Sequence, residues 1–75
     1  MRRKFYEVYF DCTETLQNGK ERRVKKSVLM PLFDYKTNKH LDLDTRIMRG
    51  YAALVEAHYY NIEYAETKTK TLIFG

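Results

Sequence analysis

One cysteine, one proline, three glycines and no tryptophan leave this chain of 75 residues short of several common devices. A lone Cys12 excludes an internal disulfide, and no set of cysteines and histidines has metal-ligand spacing. Gly19, Gly50 and Gly75 stand far apart, so there is no glycine-rich loop to cradle a phosphate. No apolar run approaches the roughly 20 residues that span a bilayer. Arg2-Arg3-Lys4 has the charge of a signal-peptide start, but Glu7 and Asp11 interrupt what would be its apolar segment. The expectation is a cytoplasmic protein in a reducing compartment, with no cofactor, no metal and no membrane contact.

Catalytic groups are equally sparse. His40 and His58 lie eighteen positions apart, the carboxylates are spread singly, and Asp42 and Asp44 read most simply as helix-capping acids. An acid–base pair needs groups converging in a pocket, and a domain this small has little room for one. The chain is not expected to be an enzyme.

What remains is enough for one small α+β domain over residues 1–75. Apolar residues make up 44% and aromatics 15%, too many for a disordered segment. A chain of this length buries only about 60% of the surface its unfolded form exposes. With no disulfide or metal to staple so thin a core, a homodimer is expected. Seven tyrosines, each an apolar body with a polar tip, suit half-buried positions or an interface.

The charge is uneven. Residues 1–26 carry eight basic side chains against four acidic ones, and residues 27–75 carry six against six, so the whole surplus of +4 lies in the first third. It is densest in Lys20-Glu21-Arg22-Arg23-Val24-Lys25-Lys26. Such a field attracts a polyanion or an acidic partner, and it says little about fold.

Periodicity supplies the fold. Lys4 to Cys12 alternates, with Tyr6, Val8, Phe10 and Cys12 on one face and Phe5, Glu7, Tyr9 and Asp11 on the other. Asn18-Gly19 is a strong hairpin signal. A two-residue loop there would join even to odd positions and scatter the apolar groups. A three-residue loop, Gln17 to Gly19 with Gly19 left-handed, sets Tyr6 against Met30, Val8 against Val28 and Cys12 against Val24, which gives one apolar face. The second strand is expected from Arg22 to Tyr35, and Pro31 places it at an edge.

A helix is expected from Leu43 to Tyr60, capped by Asp42 or Asp44 and stopped near Asn61. Its apolar stripe is Leu43, Ile47, Tyr51, Leu54, Val55 and His58. Gly50 costs the helix about 1 kcal/mol relative to Ala and invites close approach of the sheet. Ile62 to Phe74 reads as one long strand. The architecture is then β-β-α-β, an antiparallel sheet of order 2-1-3 with one helix on one face. The expected core is Val8, Phe10, Val28, Ile47, Tyr51, Leu54 and Val55.

The uncovered face is the place for function. It would carry Phe5 and Tyr9 with Arg23 and Lys25 beside them, while alternation sends Arg22 and Lys26 to the other face. The leading expectation is a small non-enzymatic binding protein of accessory or inhibitor type, occupying a partner protein or nucleoprotein complex. The alternative is direct nucleic-acid binding, with bases stacked on the rings and cations on the phosphates. Glu7 and Asp11 on the same face weigh against phosphate.

Overall fold

In the computed structural model, which describes residues 1–75, three strands and one helix follow in the order β1 (Arg2–Thr15), β2 (Glu21–Pro31), α1 (Leu43–Glu56) and β3 (Tyr60–Ile73). The sheet is antiparallel with β1 in the centre, order β2-β1-β3. The architecture is the expected one.

The hairpin joining β1 and β2 has the register that a single apolar face requires. Tyr6 lies opposite Met30, Val8 opposite Val28 and Cys12 opposite Val24. Leu16 N–H donates to Lys20 C=O at 2.7 Å, and Gly19 N–H donates to Leu16 C=O at 2.9 Å. Gly19 sits at φ +83, where a side chain would be strained. The strand ends differ from expectation. β1 extends to both sides of Lys4–Cys12, and β2 stops at Pro31, because a residue without an N–H cannot continue the ladder.

Between Pro31 and α1 the chain makes a second, smaller hairpin rather than a plain polar loop. Phe33 pairs with His40, Asp34 N–H donates to Lys39 C=O at 2.8 Å, and Leu41 N–H donates to Leu32 C=O at 2.9 Å. The Asp34 carboxylate organises its turn by accepting from the N–H groups of Lys36 and Thr37, and it pairs with Arg49 on the helix. Those three donors hold the Asp34 pKa down to about 2.

α1 starts as expected, with the Asp42 side chain accepting from Thr45 N–H at 2.8 Å. Its end comes four residues early. Tyr60 opens β3 instead of closing the helix. His58 takes the left-handed conformation at φ 70, His58 N–H reaches Val55 C=O and Tyr59 N–H reaches Leu54 C=O, each at 3.0 Å. That is a Schellman stop with histidine where glycine is usual. Asn61, expected as the stop, is also left-handed (φ 50), but it lies within β3 where the register against β1 shifts.

The core is a single cluster under α1: Tyr6, Val8, Phe10, Cys12, Met30, Leu41 and Leu54. Val28 and Ile47 are half-buried at its margin, but Tyr51 and Val55 are not core residues. They are 50% and 48% exposed, and His58 is exposed as well. The helix is rolled so that Gly50 and Leu54 face inward. The reason is the Phe10 ring. A Cβ built on Gly50 would stand 2.3 Å from its Cε1 and Cζ, so the helix rests its one bare backbone position on that ring.

Candidate binding surface

The face of the sheet away from α1 is built by the odd positions of β1. Phe5, Glu7, Tyr9, Asp11 and Thr13 stand opposite Pro31, Leu29, Ser27, Lys25 and Arg23 of β2. On the other side they meet Lys70, Lys68, Glu66, Glu63 and Tyr60 of β3. Phe5, Tyr9, Arg23 and Lys25 therefore do share one surface. Arg22 and Lys26 lie on the opposite side, where Arg22 pairs with Glu14 and the Lys26 ammonium stands 5.5 Å from the centre of the Tyr59 ring. The six candidates are thus divided between the two faces of the sheet.

The contribution of β3 was not visible in the alternation of β1 and β2, and it changes the electrostatics. Four cations (Arg23, Lys25, Lys68, Lys70) share the face with four carboxylates (Glu7, Asp11, Glu63, Glu66), so the surface is neutral. Arg23 donates to Thr13 Oγ1 at 3.0 Å and to the Asn61 carbonyl, and it stands 3.6 Å from Glu63. Lys70 reaches Glu7 at 3.8 Å and Lys68 reaches Glu66 at 3.5 Å. The sequence signal was the spacing Glu66-x-Lys68-x-Lys70, one face of a strand.

Tyr9 sits in the middle of this lattice. Its hydroxyl donates to Glu7 Oε1 at 2.6 Å, and the Lys68 ammonium lies 5.2 Å from the ring centre. The hydrogen bond to the Glu7 carboxylate raises the Tyr9 pKa, so the phenol stays a neutral donor. With Lys68 on the ring, stacking a base there means displacing an ammonium. Toward the Phe5 end the face turns apolar. Phe5 packs edge-to-face on Phe74 at 6.5 Å, and Leu29 and Phe74 are 44% and 47% exposed.

On the helix side a second cluster gathers around Tyr6. The Tyr6 hydroxyl hydrogen-bonds His40 Nε2, and the Arg46 guanidinium lies 4.3 Å above the Tyr6 ring while Nη1 donates to Leu41 C=O at 2.6 Å. Arg46 is not among the apolar residues of the stripe expected for the helix, and a charged side chain there would ordinarily reach into solvent. Its long stem folds back over the core instead. No three His, Cys, Asp or Glu side chains come together as metal ligands. Cys12 is fully buried, which raises its pKa and suppresses the thiolate. No helix is long and apolar enough to cross a membrane. No protein family, curated protein or solved structure matches the chain.

Proposed function

We propose that this chain is a small non-enzymatic binding protein of the cytoplasm, acting as a homodimer that occupies a partner protein or nucleoprotein complex through its open sheet face. The observation that carries the reading is the pairing of charges on that face. Arg23, Lys68 and Lys70 are each engaged by a carboxylate of the same chain, and a cation already neutralised has little to gain from a phosphate. A neutral face holding Tyr9 and Phe5, with exposed Leu29 and Phe74 at one end, resembles the centre of a protein interface, where aromatic anchors carry the energy. Homodimerisation is supported by the thin core, since only 9 of 75 residues are buried. A cytoplasmic location is supported by the single unpaired, buried thiol.

The competing reading, direct nucleic-acid binding through the basic hairpin, keeps one feature in its favour. Lys25 has no carboxylate within ion-pair distance. Capture from a host lysate with and without nuclease, followed by variants, separates the two. For a protein partner, binding survives nuclease, and Tyr9→Ala weakens it more than Arg23→Ala/Lys25→Ala does. For nucleic acid, nuclease abolishes capture, and the double variant lowers the log–log salt slope by about 2. The second result would overturn the proposal.

A further inference from the structure

The sheet has a vacant strand position at one end, beside the first residues of β1. In β1 the even residues turn their N–H and C=O groups toward β2, as Leu16 does in bonding Lys20, and the odd residues turn toward β3. At the far end Met1 shows the second half of this alternation, exchanging bonds of 2.7 and 2.8 Å with Phe74. Pairing with β2 stops at Phe5 opposite Pro31, while Arg2, Arg3 and Lys4 remain paired with Ile73, Leu72 and Thr71 of β3. The residues after Pro31 do not fill the next position, because they turn away to pair with His40 and Leu41. Leu32 turns its carbonyl to Leu41 N–H, so it offers no acceptor to Lys4 N–H. The edge-facing backbone groups of Arg2 and the N–H of Lys4 are thus left without a neighbouring strand.

A notch of about 370 Å³ opens at this place, lined by Arg3, Lys4, Phe5, Pro31, Leu32 and Phe33. Its floor is apolar, and Phe33 is 52% exposed. Its rim is cationic: Arg2, Arg3 and Lys4 take part in no ion pair, unlike most of the cations on the open face. We infer that the notch receives an extended segment of a partner protein in which acidic and apolar residues alternate. The segment adds a short strand beside Arg2–Lys4. Its backbone bonds Arg2 and Lys4, alternate apolar side chains enter the notch on the Phe5 side against Phe5 and Phe33, and the carboxylates between them lie on the opposite face with Arg2 and Lys4. Backbone pairing demands an extended peptide, the two-residue period of a strand demands the alternation, and the unpaired cations demand the acid. A second copy of this chain would bring its own surplus of +4 to a cationic rim, so an acidic partner fits better. This inference rests on the reading of the chain as a protein-binding module and adds the chemistry of the partner.

The test uses the full chain and a fluorescein-labelled synthetic peptide, acetyl-Glu-Ile-Glu-Val-Asp-Phe-Glu-amide. The expected result is saturable binding with amide shifts confined to Arg2–Phe5, Leu32 and Phe33. Two changes should each weaken it by about tenfold: Arg2→Glu/Lys4→Glu in the protein, and N-methylation of the peptide at the residues facing β1. Lys20→Ala, at an exposed cation in the hairpin loop at the other end of β1, should leave peptide binding unchanged. Shifts elsewhere alone, or equal binding of the N-methylated peptide, would overturn the inference. So would a thymidine oligonucleotide producing those shifts where the peptide does not, which would make the rim a phosphate site. Failure of the wider reading looks different: nuclease would then abolish capture of the partner, whatever the peptide does at the notch.

Discussion

Gly50 is the residue on which the position of the helix depends. Two effects of a methyl group there oppose each other. Alanine favours an α-helix over glycine by about 1 kcal/mol. Against that, its Cβ would meet the edge of the buried Phe10 ring at 2.3 Å, a distance that requires something to move. Phe10 is 1% exposed and lies on the central strand, so it has nowhere to go. Overpacking of this kind costs about 1–3 kcal/mol and exceeds the propensity gain. Gly50→Ala should therefore lower the urea midpoint, and a rise in stability would show that the helix can lift off the ring without loss. Leu54→Ala, on the same inward face, should cost about 2–5 kcal/mol. The same residue explains why the helix face was misread. Periodicity counts apolar side chains, so it aligned the stripe on Tyr51 and Val55. The closest approach is made by the residue with no side chain to count. The sequence alone points to close packing at Gly50, but the roll of the helix depends on a ring forty residues away.

Among the elements, α1 and the 33–40 hairpin hold the sharpest tests. The helix ends in a left-handed histidine, a conformation that disfavours any residue with a Cβ. His58→Gly should stabilise the protein by about 0.5–1 kcal/mol, read as a shift in the unfolding midpoint, because the Schellman bonds remain and only the strain goes. An unchanged or lower midpoint would mean that the exposed His58 side chain stabilises the stop. This early stop was not legible because Tyr59 and Tyr60 fit a helix as well as a strand, and only pairing with β1 decides between them. The hairpin links to the helix through Asp34 and Arg49. The folded Asp34 carboxyl has a pKa of about 2 against 3.8 ordinarily, so the unfolded chain binds its proton first on acidification. Its stabilising effect is full above about pH 4 and is lost as the pH falls toward 2. Asp34→Asn should flatten the decline in stability over that window. Asp42, held low in the same sense by Thr45, keeps the slope from vanishing. An unaltered slope would remove Asp34 from the account.

At the scale of the whole molecule, hairpin register and strand order were readable on separate grounds. The apolar pattern gave the register, and Pro31, which holds β2 at an edge, left β3 the other side of β1. All the apolar even positions of β1 had to meet apolar partners on one face, and only a three-residue loop achieves that. The candidate surface was half readable. Phe5, Tyr9, Arg23 and Lys25 follow from the same register, but the neutralising carboxylates and lysines come from β3, whose bulges prevent its faces being assigned by simple alternation. Sedimentation at micromolar concentration should give about twice the chain mass of 9.1 kDa. A monomer that keeps its full stability on dilution would overturn the dimer.

The strand order also sets a sequence in time. β1 meets β2 across a short loop, but it meets β3 by bringing Arg2 beside Ile73, across nearly the whole chain. Loop-closure entropy makes the first pairing early and the second late, since non-local contacts must wait for the ends to find each other. Until then the strand that carries Val8, Phe10 and Cys12 has one unprotected edge. A protein emerging from the ribosome would hold that edge open until Tyr60–Ile73 had been synthesised. The ends that close it lie side by side, bonded through Met1 and Phe74. A circular permutant with these ends joined and the chain cut at Asn18-Gly19 would exchange the roles of the two outer strands. β3 would then dock first as the local hairpin, and β2, with its basic residues, would be the last strand to arrive.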